Sequence, residues 1–111
     1  MEKSRRFLKL DMYRPDLWTI LKVGDGSYKV AASWRGGYLS GDSWRVSSGI
    51  KKILDLDDYW EVTNVSGSTY LLHKNCVGMS RYLEGELYEA KKSGKVREVD
   101  IREILEEFKY E

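Results

Sequence analysis

His73 and Cys76 stand as H-x-x-C. A thiol beside an imidazole can form a nucleophile–base pair, and the same two side chains are zinc ligands. The chain has one His and one Cys, so a zinc site within one chain lacks its other ligands. No third group is evident to orient the imidazole. The expected roles are a half-buried His and a buried thiol, with no metal. Asp55, Asp57, Asp58 and Glu61 are carboxylates that could hold a divalent cation or work as an acid/base pair. They lack the spacing of a calcium loop, and a solvated turn is the simpler expectation. Gly24-Asp25-Gly26-Ser27 lacks the Gly-Lys-Ser/Thr ending of a phosphate loop and sits between strands, as a hairpin turn does. No catalytic, metal or nucleotide motif is found and no cofactor is expected. The expected role is non-enzymatic, with an enzyme as the third reading.

The segment from Ser33 to Gly49, SWRGGYLSGDSWRVSSG, concentrates residues that grip partners. Trp, Tyr and Arg are enriched at binding hot spots, and glycines let a backbone take positive φ and approach a partner closely. Arg35, Tyr38, Arg45, Lys51 and Lys52 are the expected partner-binding residues. Aromatic and basic groups also interleave more widely, through Trp34, Trp44, Tyr59, Trp60, Tyr70, His73 and Lys74. That is the general recipe for stacking single-stranded nucleic acid, although no RNP motif appears. Alternation within Trp44-Arg45-Val46-Ser47 puts Trp44 and Val46 on one face and Arg45 on the other. This favours core packing for Trp44, with a protein-binding or a nucleic-acid-binding surface as the other readings.

These residues lie in a chain of 111 residues, the size of one domain, 1–111. Net charge is +1, so the chain as a whole is neither a basic nucleic-acid binder nor an acidic mimic of one. The charge is uneven. Residues 1–10 and 33–52 each carry +3, residues 55–61 carry −4 and residues 97–111 carry −3. Such asymmetry suits oriented binding or self-association, a homodimer included, as well as ordinary solvated faces. A lone cysteine allows no internal disulfide and fits a reducing cytoplasm. MEKSRRF does not read as a signal peptide, and no apolar run approaches the ~20 residues that span a bilayer.

The elements that must position these groups follow from periodicity. Phe7 to Tyr13 alternates loosely and reads as an edge strand, ended by Arg14-Pro15-Asp16. Leu17–Val23 and Tyr28–Trp34 form a hairpin about the turn at 24–27. Trp44–Ser47 and Ile50–Leu56 are extended, with a bulge or kink at Ser48-Gly49. Tyr59–Val65 and Thr69–Lys74 make a second hairpin about Ser66-Gly67-Ser68. After Cys76 the period becomes helical. Met79, Leu83, Leu87 and Ala90 mark a helix over 80–92, with Ser80 as N-cap and Gly94 at its end. Asp100 and Glu103 have capping-box spacing and open a second helix to 109. The expected fold is α+β, β-rich over 7–75 and helical over 79–111. Its sheet is antiparallel, open or closed as a small barrel, with about five strands followed by two C-terminal helices.

The runs SGDSWRVSSGIKKI and VSGSTYLLHKNCVGMS, within residues 33–80, resemble small proteins of phages and mobile elements. The shared look is a Trp-Arg-x-Ser-Ser-Gly-Ile strand, a Ser-Gly-Ser-x-Tyr turn and strand, then a basic His/Lys segment and Gly. The resemblance implies a small cytoplasmic accessory protein of a phage. Such proteins act stoichiometrically by binding a host protein, including CRISPR effectors and other defence enzymes. The expected function is therefore binding a host protein, with inhibition of a defence system of the anti-CRISPR kind. The alternative is a small β domain that binds single-stranded nucleic acid.

Overall fold

A computed structural model describes residues 12–35 and 43–108. The strands are β1 (Met12–Tyr13), β2 (Leu17–Val23), β3 (Tyr28–Trp34), β4 (Ser43–Leu56), β5 (Tyr59–Asn64), β6 (Thr69–His73) and β7 (Val96–Val99). The helices are α1 (Arg81–Lys92) and α2 (Leu105–Phe108), with one 3-10 turn at Ile101–Glu103. The strands form one sheet in the order β1-β6-β5-β4-β3-β2-β7.

Alternation builds an inner face. Trp18 and Ile20, Val30 and Ala32, Trp60 and Val62, and Tyr70 and Leu72 are buried pairs two residues apart, so each pair points to the same side. Ile50 and Ile53 join them from β4. Ile101 and Ile104 close over this cluster, with Leu105 and Phe108 against it. The opposite face is also covered. Leu21 and Ala31 meet Leu83 of α1, with Val46, Met79 and Leu87 around them. Met79, Leu83 and Leu87 recur every fourth residue, the spacing of one helix face. Ser80 caps α1 by accepting from the Leu83 N–H, and Gly94 takes φ +84° just beyond its end.

β4 bends because it carries extra residues. Its pairing slips between Lys29 and Ala31 on the β3 side and between Ile50 and Lys52 on the β5 side. The first slip is the bulge expected at Ser48-Gly49. It leaves the Val30 N–H without a ladder carbonyl, and the buried Ser47 hydroxyl accepts that N–H at 2.9 Å. The bent strand lets the sheet roll upon itself. Beyond β6, Val77 bridges Trp18 in parallel. The Trp18 N–H donates to the Cys76 carbonyl, the Gly78 N–H donates to the Trp18 carbonyl, and the indole Nε1 donates to the His73 carbonyl at 2.7 Å. One residue, Trp18, thus fastens the seam where the rolled sheet meets itself.

Three expectations need correction. The sheet has seven strands rather than about five, and it is mixed, because β1 runs parallel to β6. Only Met12 and Tyr13 of the expected strand at 7–13 lie within the described residues. The expected helical region, 79–111, is interrupted by β7, which pairs antiparallel with β2. Four residues are too short for alternation to announce a strand, and the neighbouring strand decides the matter. The second expected helix is divided in consequence. Asp100 does cap it, accepting from the Arg102 N–H, but a 3-10 turn precedes the single turn of α2.

Candidate functional site

The ends of β1 and β3 and the start of β4 meet at one end of the sheet. Trp34 Nε1 donates to the Arg14 carbonyl at 2.9 Å, and the Arg35 N–H donates to Asp16 Oδ2 at 2.6 Å. Register places Arg45 opposite Ala32, and Trp44 opposite Ser33. Arg14, Arg35 and Arg45 are all exposed. Arg81, exposed at the start of α1, shares a cleft of about 330 Å³ with Arg35, Asp16 and Trp34. Asp16 lies in the same cleft, and Glu84 follows one turn after Arg81 on α1.

Arg45 sits on an aromatic stack. Its guanidinium carbon lies 4.7 Å from the centre of the Tyr13 ring. Tyr13 in turn stacks on Tyr70, with centroids 4.9 Å apart, and meets Trp34 edge-on at 6.1 Å. Tyr70 is fully buried, and the Arg45 guanidinium approaches its hydroxyl without completing a well-formed hydrogen bond. Burial pushes its phenol pKa up, and the Arg45 charge opposes that shift. A buried hydroxyl left unbonded carries its desolvation cost uncompensated. Tyr70→Phe is therefore expected to leave stability unchanged or raise it by up to about 1 kcal/mol. Chemical denaturation checks this. A loss of more than about 1 kcal/mol would mean that the hydroxyl is bonded after all.

The sequence-predicted site residues fall in different places. Arg35 and Arg45 reach the same end of the sheet but point to opposite faces. Alternation sends Ser33 and Arg35 toward α1, where the Ser33 hydroxyl accepts the Ser80 N–H, and Arg45 toward Tyr13. Lys51 is exposed at the second bulge. Lys52 pairs with Thr63 beside the buried pair Ile53–Val62, so it faces away from the inner core. Neither lysine joins the arginine end, which lies further back along β4. Tyr38 lies outside the described residues. Trp44 departs from the core packing that alternation favoured. It is 42% exposed, because the apolar stripe of α1 reaches Val46 and stops short of Trp44. Sequence reasoning missed Arg14, Arg81 and Tyr13. Nothing local marks them, since the pairing of β1 with β6 and the docking of α1 bring them here.

The other motifs have structural work. His73 Nδ1 accepts the Asn75 N–H at 3.1 Å, and the Cys76 N–H donates to the His73 carbonyl, so H-x-x-C is the turn leading to the seam. Cys76 is half-buried against the core rather than fully buried. The carboxylate turn ends in Asp57, at φ 75°, and Asp55 pairs with Lys74. That contact, with the Asp57 N–H, holds the Asp55 pKa below the usual carboxylate value. Among the described residues no three His, Cys, Asp or Glu side chains converge as metal ligands. No helix among them is long and apolar enough to cross a membrane.

A second cleft, of about 300 Å³, opens at the seam between Trp18, Trp60 and residues 98–102. Lys74 Nζ and Arg102 both approach the Trp60 ring, at 4.3 and 5.9 Å. The charges here pair among themselves: Lys74 with Asp55, Lys91 with Glu98, and Arg102 with Asp100. It offers less to an incoming ion than the arginine end does. No family model, curated protein or solved structure matches the chain.

Proposed function

We propose that this chain is a non-enzymatic binding module of phage or mobile-element type. It occupies a surface of a host protein with its arginine end, and inhibition of a defence system is the role that suits such an accessory protein. The phage setting comes from the resemblance of residues 33–80. The observation that carries the binding reading is that exposed Arg14, Arg35, Arg45 and Arg81 stand at the end of the sheet that also exposes Trp44, with Arg35 and Arg81 lining one cleft there. Arginines and an aromatic with free surface are the side chains that dominate binding energy. A surface of this kind needs no catalytic group to act, since occlusion alone blocks a partner.

The test separates binding from folding. Arg35→Ala is expected to change stability by under about 0.5 kcal/mol, because its side chain is exposed, and Arg45→Ala to cost about 0.5–1 kcal/mol, the worth of its contact with the Tyr13 ring. Each is expected to weaken capture of the host partner, and the double variant to weaken it by on the order of 100-fold. Pull-down from host lysate with wild type and double variant, followed by titration of the captured protein, reads both. Equal capture by a stably folded double variant would end this reading.

A second reading, binding of single-stranded nucleic acid, draws on the Tyr70–Tyr13–Arg45 stack. Its signature is a steep fall of affinity with salt on single-stranded DNA or RNA. Absence of such binding favours the host-protein reading.

A further inference from the structure

The geometry points to Arg45, held over the Tyr13–Tyr70 stack, as the anchor that takes a carboxylate from an acidic protein surface. This deepens the host-protein reading and rests on it. Three observations carry it.

The first is preorganisation. A free arginine side chain loses rotamer freedom when it is gripped. Arg45 has its guanidinium placed over Tyr13 beforehand, and Tyr13 is itself fixed between Tyr70, Trp34 and that guanidinium. Arg45 is exposed as a residue, while its guanidinium also reaches toward the Tyr70 hydroxyl. A planar fork of this kind matches a carboxylate with two parallel hydrogen bonds.

The second is charge. Among the described residues the four arginines of this end stand with Asp16 and, one turn into α1, Glu84, whereas Asp55, Asp57, Asp58 and Glu61 cluster about the far end of β4. Among the described residues the arginine end thus carries an excess of positive charge, which favours the approach of an acidic surface there.

The third is the shortage of free ring faces. Single-stranded nucleic acid is held by aromatic faces on which successive bases stack. Here Tyr13 has Tyr70 on one side and Arg45 over its ring, and Trp34 is half-buried with its N–H engaged. Trp44 is left as the exposed aromatic of this end among the described residues. The arginines also lie on two faces of the sheet rather than along one groove. Isolated forks suit carboxylates on a folded surface better than a continuous strand.

The experiment titrates the full-length chain with a polyglutamate peptide, a polylysine peptide and an oligothymidylate matched in charge to the polyglutamate. The expected result is that polyglutamate binds, that polylysine does not, and that oligothymidylate binds no tighter than polyglutamate. Arg45→Lys keeps the charge but loses the fork. It is expected to weaken polyglutamate binding about tenfold, close to the effect of Arg45→Ala. Tyr13→Leu removes the platform and is expected to weaken it in the same direction. Circular dichroism of each variant confirms that it is folded. Oligothymidylate binding about tenfold tighter than polyglutamate overturns the inference in favour of nucleic acid. An Arg45→Lys variant that binds polyglutamate as wild type does also overturns it, since charge alone then suffices. Either failure is distinct from failure of the host-protein reading, which is decided by whether the double arginine variant still captures its partner.

Discussion

Trp18→Ala is expected to cost about 3–5 kcal/mol of stability, the range for truncating a large aromatic in a packed core. Trp18 is 2% exposed and lies among the inner cluster. Its removal leaves a cavity that the surrounding strands fill only in part. It also strips the His73 carbonyl of the indole donor, at the point where the segment after β6 is fastened to β2. Since a domain of this size has ~5–15 kcal/mol in total, the variant loses a large share of its margin. Trp18→Phe keeps most of the ring and loses the donor, and a loss of about 1–2 kcal/mol is expected for it. Denaturant titration of the three proteins checks the series. If Trp18→Ala falls within about 1 kcal/mol of wild type, the seam is not held by this residue.

Leu83→Ala is expected to cost about 2–3 kcal/mol and to act locally. Leu83 is fully buried and is the one fully covered side chain of α1. The rest of the helix is largely exposed, with Tyr82 at 65% and Tyr88 at 58%. Helices of this length draw most of their stability from the face they bury. Loss of Leu83 therefore loosens α1 from Leu21 and Ala31 while the inner cluster persists. Hydrogen exchange is expected to show amides of residues 81–92 losing protection, with β2 through β6 unaffected. Uniform loss of protection across the chain would show instead that α1 and the sheet unfold together. Tyr82→Ala and Tyr88→Ala serve as controls, with changes under about 0.5 kcal/mol expected at these exposed positions.

Much of the fold was legible because its signals are local. The hairpins at 17–34 and 59–74 were announced by alternation around glycine turns, and β2 and β3 match the expected spans. α1 was announced by apolar spacing and by Ser80. The kink at Ser48-Gly49 was legible in the same way. The exposure of Arg35 and Arg45 follows from a glycine-flanked segment too polar to be core. Trp44 shows where local signals stop. Alternation correctly put it on the face of Val46, but which part of that face α1 covers depends on where the helix docks.

The sequence by itself determined where the strands of the two hairpins and their turns lie, where the period becomes helical, and which residue types crowd around 33–49. Those are decided by backbone preferences and by the two periodicities, 2.0 and 3.6, which need no distant partner. Only the tertiary structure decided that β7 is a strand, that β1 runs parallel to β6, and that Trp18 closes the rolled sheet. It also decided that Arg14, Arg35, Arg45 and Arg81 share one end while Lys51 and Lys52 stand apart. The physical reason is the same in each case. These features are pairings between segments tens of residues apart, and their free energy comes from hydrogen bonds and burial that exist only once both partners are in place.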